Sequence, residues 1–247
     1  MRVLGVIPAR LGSTRLPNKP LQMLAGEPLI TRVIQRVQEH GLADELVVAT
    51  DSPMVAQVAE RSRVRAVMTD RGHRTGTDRV AEVAARPEFA AYDAVVNVQG
   101  DEPFLAREAL AGSIEQLAQG NDIGTAAAPL EAELAGDPSR VKVVTDAAGR
   151  ALYFSRSVIP HLREPADLSD RLYWQHLGIY AYTREALRRW AGLEPGAAEL
   201  AERLEQLRAL HHGLTIGVAR LAEPVEPGVD TLDDLRRAEA HWQALQR

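Results

Sequence analysis

Val3-Leu-Gly-Val-Ile-Pro-Ala-Arg-Leu-Gly-Ser-Thr-Arg-Leu-Pro-Asn-Lys19 begins as a strand and ends as a basic loop. Val3 to Ile7 is continuously apolar, the pattern of a strand covered on both faces, as in a parallel sheet flanked by helices. After Pro8 the composition changes to Gly, Ser, Thr and Pro, with Arg10, Arg15 and Lys19 spaced among them. Small residues let backbone N–H groups approach an anion while the cations neutralise it. In open α/β sheets, ligands bind outside the carboxyl ends of the strands, which is where this loop falls. The loop has neither the Gly-x-x-x-x-Gly-Lys-[Ser/Thr] nor the Gly-x-Gly-x-x-Gly pattern. Without a ligand it reads as a solvated surface loop.

Only Lys19 and Lys142 among the 29 basic residues are lysine. Arginine offers a planar fork and lysine a compact point charge on a flexible stem, so the two are not interchangeable beside phosphate. A lysine kept inside the first loop of an arginine-writing chain marks that loop as the place to look for chemistry.

Outward from this segment, β-rich runs alternate with helical periodicity, giving an α/β class with a mainly parallel sheet. Leu29, Ile30, Val33, Ile34 and Val37 form a helical stripe between Pro28 and Gly41. Strands follow at Leu46–Thr50 and Val64–Met68, with a helix capped by Ser52 between them. A helix from about Asp78 to Ala85 leads to the strand Ala94–Val98. The second half is less regular. Ile123–Pro129 reads as a strand, Val141–Phe154 as a hairpin turning on Asp146 to Gly149, and His176–Tyr182 as another strand. Leu200, Leu204, Leu207 and Leu210 mark one long helix, and a last helix after Asp230 packs through Leu235, Ala238, Trp242 and Leu245. The segment Arg156 to Trp174 is the loosest, suited to a mobile or intersubunit role.

The 247 residues, 45% hydrophobic and 26% charged, are ordinary for a globular protein and read as a single domain with an elaborated second half. A formal charge of −5 argues against broad nucleic-acid binding. With no cysteine, disulfides, thiolate zinc sites and a Cys nucleophile are excluded. No apolar run is long enough for a membrane span and the N-terminal run is too short for a secretory signal, so a soluble cytoplasmic protein is expected.

A second motif, Asn97-Val-Gln-Gly-Asp-Glu-Pro103, also follows a strand directly. Gly100 permits a tight turn, and Asp101 is then suited to ligate Mg²⁺ together with substrate phosphates; alternatively it is a turn acid. In Gly228-Val-Asp-Thr-Leu-Asp-Asp234, either Thr231 or Asp230 can cap the last helix, which leaves a metal role for Asp230 open. Thr75-Gly-Thr-Asp-Arg79 is a helix start that can serve a sugar or anion, or simply cap. His176 and Tyr180 share a strand face, as ligands or as a structural pair. Glu199, Glu202, Glu205 and Arg208 read as a charged helix face.

Together, Ile7-Pro-Ala-Arg10, Ser13-Thr-Arg-Leu-Pro17, Lys19-Pro-Leu21, Val48-Ala-Thr-Asp51, Gly76-Thr-Asp-Arg79, Val98-Gln-Gly-Asp-Glu-Pro103, Val141-Lys-Val-Val144, Ala151-Leu-Tyr-Phe-Ser-Arg156, His176-Leu-Gly-Ile-Tyr180, Leu204-Glu-Gln-Leu-Arg208 and Val229-Asp-Thr231 carry a resemblance. The chain resembles the 3-deoxy-manno-octulosonate (Kdo) cytidylyltransferase family nearly end to end. The first loop alone would indicate only the broader sugar nucleotidyltransferase class; the later segments are more specific. The resemblance implies a Rossmann-like nucleotidyltransferase fold, with residues 1–130 mainly binding CTP. It gives residues 131–220 to acceptor binding and dimerisation, and 221–247 to a metal-site turn and helix. It implies the reaction CTP + Kdo → CMP-Kdo + pyrophosphate, with Mg²⁺, in a homodimer serving lipopolysaccharide biosynthesis.

By matching motif, Lys19, Arg10 and Asp101 would be catalytic, and Asp101 and Asp230 the metal ligands. Ala9, Arg10, Arg15, Lys19, Thr75, Gly76, Arg79 and Gln99 would hold CTP. Gln99, Arg156, His176, Tyr180, Glu199, Glu202 and Gln206 would line the Kdo pocket. The chain departs from the pattern at Thr75, where relatives usually have Ser, at Gln175, commonly Arg, and after Pro160. Rival expectations are a cytidylyltransferase for 8-amino-Kdo or sialic acid, and a non-catalytic nucleotide-sugar sensor.

Overall fold

A computed structural model describes residues 1–13, 15–73, 75–164, 169 and 171–245. Packing groups the chain into two compact units, Met1–Ala106 with Val225–Arg247, and Arg107–Pro224. Among the described residues no helix is long and apolar enough to cross a membrane.

In the first unit the opening apolar run forms β1 (Val3–Ala9), buried almost throughout. A single 3₁₀ turn at Lys19–Leu21 and a small hairpin, β2 (Met23–Leu24) and β3 (Glu27–Pro28), lead into α1 (Leu29–His40). The expected stripe of α1 is buried, and the helix ends at Gly41. β4 (Glu45–Thr50), α2 (Pro53–Arg61), β5 (Arg65–Met68), α3 (Gly76–Ala85) and β6 (Ala94–Val98) follow. Ser52 caps α2 through the Val55 N–H. These strands pair in parallel in the order β6-β1-β4-β5. The chain steps from β1 outward to β4 and β5, then returns to the other side of β1 as β6. That reversal puts the carboxyl ends of β1 and β6 side by side, the position where open α/β sheets bind ligands.

The C-terminal helix Leu232–Leu245 belongs to the same unit. Ala238, with Leu235 and Trp242 beside it, packs in one apolar cluster with Leu16, Leu24, Leu29 and Val229. Leu245, expected in that contact, is instead exposed. It lies at the last described turn, past the residues that reach the cluster.

The second unit contains α4 (Arg107–Ala118), β7 (Ile123–Leu130), β8 (Lys142–Thr145), β9 (Ala151–Ser155), β10 (Tyr173–Thr183), α5 (Arg184–Ala191), α6 (Ala197–Glu202), α7 (Gln206–His211) and β11 (Ile216–Arg220). β7 lies between parallel β11 and antiparallel β10, so the sheet is mixed. β8 and β9 form the expected hairpin, with Asp146 carboxylate and backbone closing its turn. Gly124 of β7 admits α4 so closely that a Cβ would lie 1.9 Å from the Ser113 carbonyl oxygen.

The single long helix expected from the leucine spacing is broken into α6 and α7. Arg203 takes a left-handed conformation (φ 55°) and its N–H closes α6 on the Glu199 carbonyl at 2.7 Å. The break has a packing consequence. Glu199 and Arg208 are nine positions apart; on a continuous helix they would sit on opposite sides, about 13 Å apart along the axis. Instead they form a buried pair. Of the segment 156–174, residues 165–168 and 170 lie outside the described residues.

Candidate active site

Loop and strand geometry bring three charged groups of the first unit to one point. Asn18 is left-handed (φ 53°), and its carbonyl accepts from Leu21 N–H at 2.8 Å. Pro20 is buried behind Lys19, which anchors that residue's backbone. The Lys19 ammonium donates to Asp101 Oδ2 and, at 2.8 Å, to Asp230 Oδ1. Arg15 Nη2 lies 3.1 Å from the other oxygen of Asp230. Asp101 is carried past the end of β6 by the Gly100 turn, where a Cβ would meet the Pro8 carbonyl oxygen at 3.1 Å. Val229 N–H donates to the Asp101 carbonyl at 2.8 Å, so the segments bearing Asp101 and Asp230 are tied together by backbone. Leu16 and Val229 share the apolar cluster above, which fixes the Arg15 loop and the Asp230 turn through their neighbours.

The cap of the C-terminal helix is resolved by geometry. Thr231 Oγ1 accepts from Asp234 N–H at 3.2 Å, and Asp234 Oδ2 accepts from the N–H groups of Thr231 and Asp230. With Thr231 and Asp234 closing the helix end, the Asp230 carboxylate faces Lys19 and Arg15.

Electrostatics follow the geometry. Burial alone would lower the Lys19 ammonium, but the charges and hydrogen bonds of Asp101 and Asp230 outweigh it and hold its pKa above 10.5. Glu102, which the sequence reading did not single out, is pushed up to about 8 by burial, helped by Asp101 and Asp230 and opposed by Lys19. Among the described residues no group of three or more His, Cys, Asp or Glu is placed to hold a metal. The donor set that exists is two carboxylates already converging on one cation. That suits a hard divalent ion completing its shell with substrate phosphate and water.

The other nucleotide-site candidates are placed differently. Ala9 is buried at the end of β1, Arg10 is exposed just beyond it, and Gln99 is half-buried. Thr75 and Asp78 form a reciprocal capping box at the start of α3, and Gly76 packs against Pro8. Arg79 is almost fully buried, with its guanidinium on Thr69 Oγ1 and, at 3.2 Å, on Asp51 Oδ2. It braces the ends of β4 and β5 from within. Thr14, in the first-loop motif, lies outside the described residues.

The acceptor candidates other than Gln99 lie in the second unit. The His176 ring meets Phe154 edge-on at 4.9 Å and Tyr180 at 5.4 Å, despite a register shift between Leu177 and Tyr180. Thr125 Oγ1 donates to the Ile179 carbonyl at 2.7 Å, so its contact with His176 Nε2 at 3.0 Å has the imidazole N–H as donor. Burial lowers His176 to about 3, and burial, with Tyr182 and Glu205, raises Tyr180 well above 10. Both rings are neutral at physiological pH.

Arg156 donates through Nε to the Glu202 carbonyl at 2.8 Å and through Nη1 to the Pro138 carbonyl at 2.9 Å. Glu202 accepts from Ser155 Oγ at 2.6 Å and from Arg156 N–H at 2.9 Å. Glu199 meets Arg208 through two bonds, at 2.9 and 2.5 Å, with both side chains 9% exposed. At Glu199 and Arg208 the expected charged helix face is instead a buried ion pair across two helices. Gln206 is buried at the start of α7. Lys142, noticed in the sequence only for its rarity, is fully buried, its ammonium on the carbonyls of Arg156 at 2.6 Å and Asp137 at 3.1 Å.

The parallel sheet with its order reversal at β1, and the polar loops at that edge, are those of a Rossmann-like nucleotidyltransferase. A cytidylyltransferase family model matches residues 4–216, and the chain belongs to the cytidylyltransferase family. The 3-deoxy-manno-octulosonate cytidylyltransferase of Gemmatimonas aurantiaca is 54% identical over 99% of this chain and 96% of its own. That of Polynucleobacter necessarius is 45% identical over 94% of this chain and 92% of its own. A solved CMP:2-keto-3-deoxy-manno-octonic acid synthetase complexed with CTP superposes with TM-score 0.92 at 36% identity, covering 100% of both chains.

Proposed function

We propose that this protein transfers CMP from CTP to the anomeric hydroxyl of Kdo, releasing pyrophosphate, with Mg²⁺ as the metal. The observation that carries this reading is the meeting of Lys19, Asp101 and Asp230 at the β1–β6 edge, in a chain 54% identical to a 3-deoxy-manno-octulosonate cytidylyltransferase. The Kdo 2-hydroxyl attacks the α-phosphorus in line and pyrophosphate leaves, so no enzyme nucleophile is needed. Catalysis is then positioning and charge stabilisation.

Asp101 and Asp230 would hold Mg²⁺, which supplies neutralisation of phosphate charge when bound. Lys19, Arg15 and exposed Arg10 neutralise the charge that builds on the leaving pyrophosphate. Ala9, Thr75, Gly76 and Gln99 shape the nucleotide's place by backbone approach, and Arg79 supports it by bracing Asp51 and Thr69. On the acceptor side, neutral His176 and Tyr180 recognise hydroxyls without adding charge, while Arg156, Glu199, Glu202 and Gln206 set the polar frame around the sugar acid. In this reading the enzyme is a cytoplasmic homodimer; the exposed apolar side chains Leu152 and Val158 support a partner surface on the second unit.

Pyrophosphate release with CTP and Mg²⁺ tests the reading, comparing Kdo, 8-amino-Kdo and sialic acid as acceptors. Release with Kdo is expected. Preference for another acid overturns the acceptor assignment. Silence with all three, from protein that melts cooperatively, overturns the enzyme reading.

A further inference from the structure

The Lys19 ammonium does not point at open solvent to await phosphate. It is bound to one oxygen of Asp101 and one of Asp230, and its side chain is only 18% exposed. Arg15 takes the remaining oxygen of Asp230 at 3.1 Å. Both oxygens of Asp230 already face a cation, so a metal ligated by the two carboxylates must share or take an oxygen that now receives Lys19 or Arg15. Ligation to Mg²⁺ is at about 2.1 Å, so the two positive centres would face each other about 4 Å apart in a partly buried place where screening is weak and their repulsion large. That repulsion favours release of the ammonium.

We propose that Lys19 is the built-in counter-ion of the Asp101–Asp230 pair, and that a divalent cation binds by displacing it. The backbone around Lys19 is fixed by the Asn18 turn and by buried Pro20, while its four-carbon stem keeps the freedom to swing. The ammonium neutralises two carboxylates that would otherwise repel across the site. Once displaced it becomes available to an anionic group such as a triphosphate. An arginine would fill this role less well, because its planar fork locks onto carboxylates bidentately instead of yielding to a competitor.

This inference rests on the reading of Asp101 and Asp230 as the metal pair, and the experiment separates the two. The full-length protein is titrated with Mn²⁺ in the absence of nucleotide, and free Mn²⁺ is followed by electron paramagnetic resonance. Wild type, Lys19→Met, Lys19→Gln and Asp101→Asn are compared after each is shown to melt cooperatively. Both Lys19 variants are expected to bind Mn²⁺ about ten-fold more tightly than wild type, on the scale of coupling between two linked sites, and Asp101→Asn is expected to bind far more weakly. If Asp101→Asn loses affinity but neither Lys19 variant gains any, the counter-ion proposal is overturned and the metal-pair reading stands. If Asp101→Asn binds Mn²⁺ as wild type does, the metal-pair reading fails and takes the proposal with it.

Discussion

The chain's two lysines sit in opposite kinds of environment. Lys19, in the first unit, is held by carboxylates, and their charges raise its pKa in spite of burial. Lys142, in the second unit, is held by two backbone carbonyls, and burial dominates, so its pKa falls below 10.5 although Asp137 and Glu202 act against the fall. A carboxylate can exchange one cation for another, whereas a carbonyl in the fold has nowhere else to turn. The same contrast runs through the two units. Around Lys19 the charged groups face one another and are exchangeable. In the second unit, the Arg156, Glu202, Glu199 and Arg208 side chains are committed to backbone, to Ser155 or to each other. The first arrangement is built for binding and release, the second for holding a shape.

The largest effect should come from the exchangeable side. Asp101→Ala removes one of two carboxylates from the Lys19 pair without opening a core cavity. Turnover should fall about 10³-fold, the scale of losing a main electrostatic element, while thermal unfolding shifts little. Pyrophosphate release and calorimetry on the same preparation check both halves. Near-normal turnover with Mg²⁺ would break the contrast at its strongest point.

Next comes a loss of stability on the committed side. Glu199→Ala strands Arg208 in a buried place and should cost about 3 kcal/mol, as broken buried pairs do, read as a lower urea midpoint. The matched control is Arg188→Ala. Its partner Glu185 lies at 2.6 Å, but the side chains are 77% and 61% exposed, and the change should stay within about 0.5 kcal/mol. Equal effects from the two variants would mean that the break at Arg203 places nothing of energetic weight.

Lys142→Met follows, with a smaller cost. Methionine keeps much of the volume but leaves the Arg156 and Asp137 carbonyls without their donor. About 2 kcal/mol should be lost. CTP affinity, measured by calorimetric titration, should not change. A Lys142 variant that folds normally but loses CTP would place this lysine on the exchangeable side.

The sequence displayed the exchangeable side better than the committed one. A continuous apolar run, a basic loop and an acidic turn are local features, and β1, β6 and their loops follow from them with boundaries shifted by a residue or two. What stayed hidden depended on distant partners. The spacing of Leu200, Leu204, Leu207 and Leu210 is helical, and nothing local announces that Arg203 turns left-handed while Ser155, at the end of β9, and Arg156 just after it grip Glu202. Arg79 reads only as part of a helix start until Asp51 and Thr69 are folded beside it. Asp230 reads equally as cap or ligand until Thr231 and Asp234 are seen to close the helix end between them. Glu102 gave no signal, since its altered acidity comes from burial. Lys142 did give one, its rarity, but rarity does not say what a residue holds.

The smallest effect concerns a proton on the committed side. His176 donates Nε2–H to Thr125 and burial holds its pKa near 3, against 6.5 for the free side chain. Between those values the unfolded chain takes up a proton that the native chain refuses. Stability from this residue is therefore complete above about pH 6.5 and is lost as pH falls toward 3. His176→Gln retains an N–H donor but cannot titrate. The slope of unfolding free energy between pH 6 and 4 should be shallower in the variant by up to one proton, about 1.4 kcal/mol per pH unit. Every other side chain is common to the two proteins and cancels in the difference. Urea midpoints at pH 7, 6, 5 and 4 supply the comparison, and nitrogen NMR of the imidazole reports whether Nε2 carries the proton. Parallel slopes would mean that the ring gains its proton as readily folded as unfolded. The His176 pocket would then be open to exchange, as the Lys19 site is, and the division between the two units would fail there.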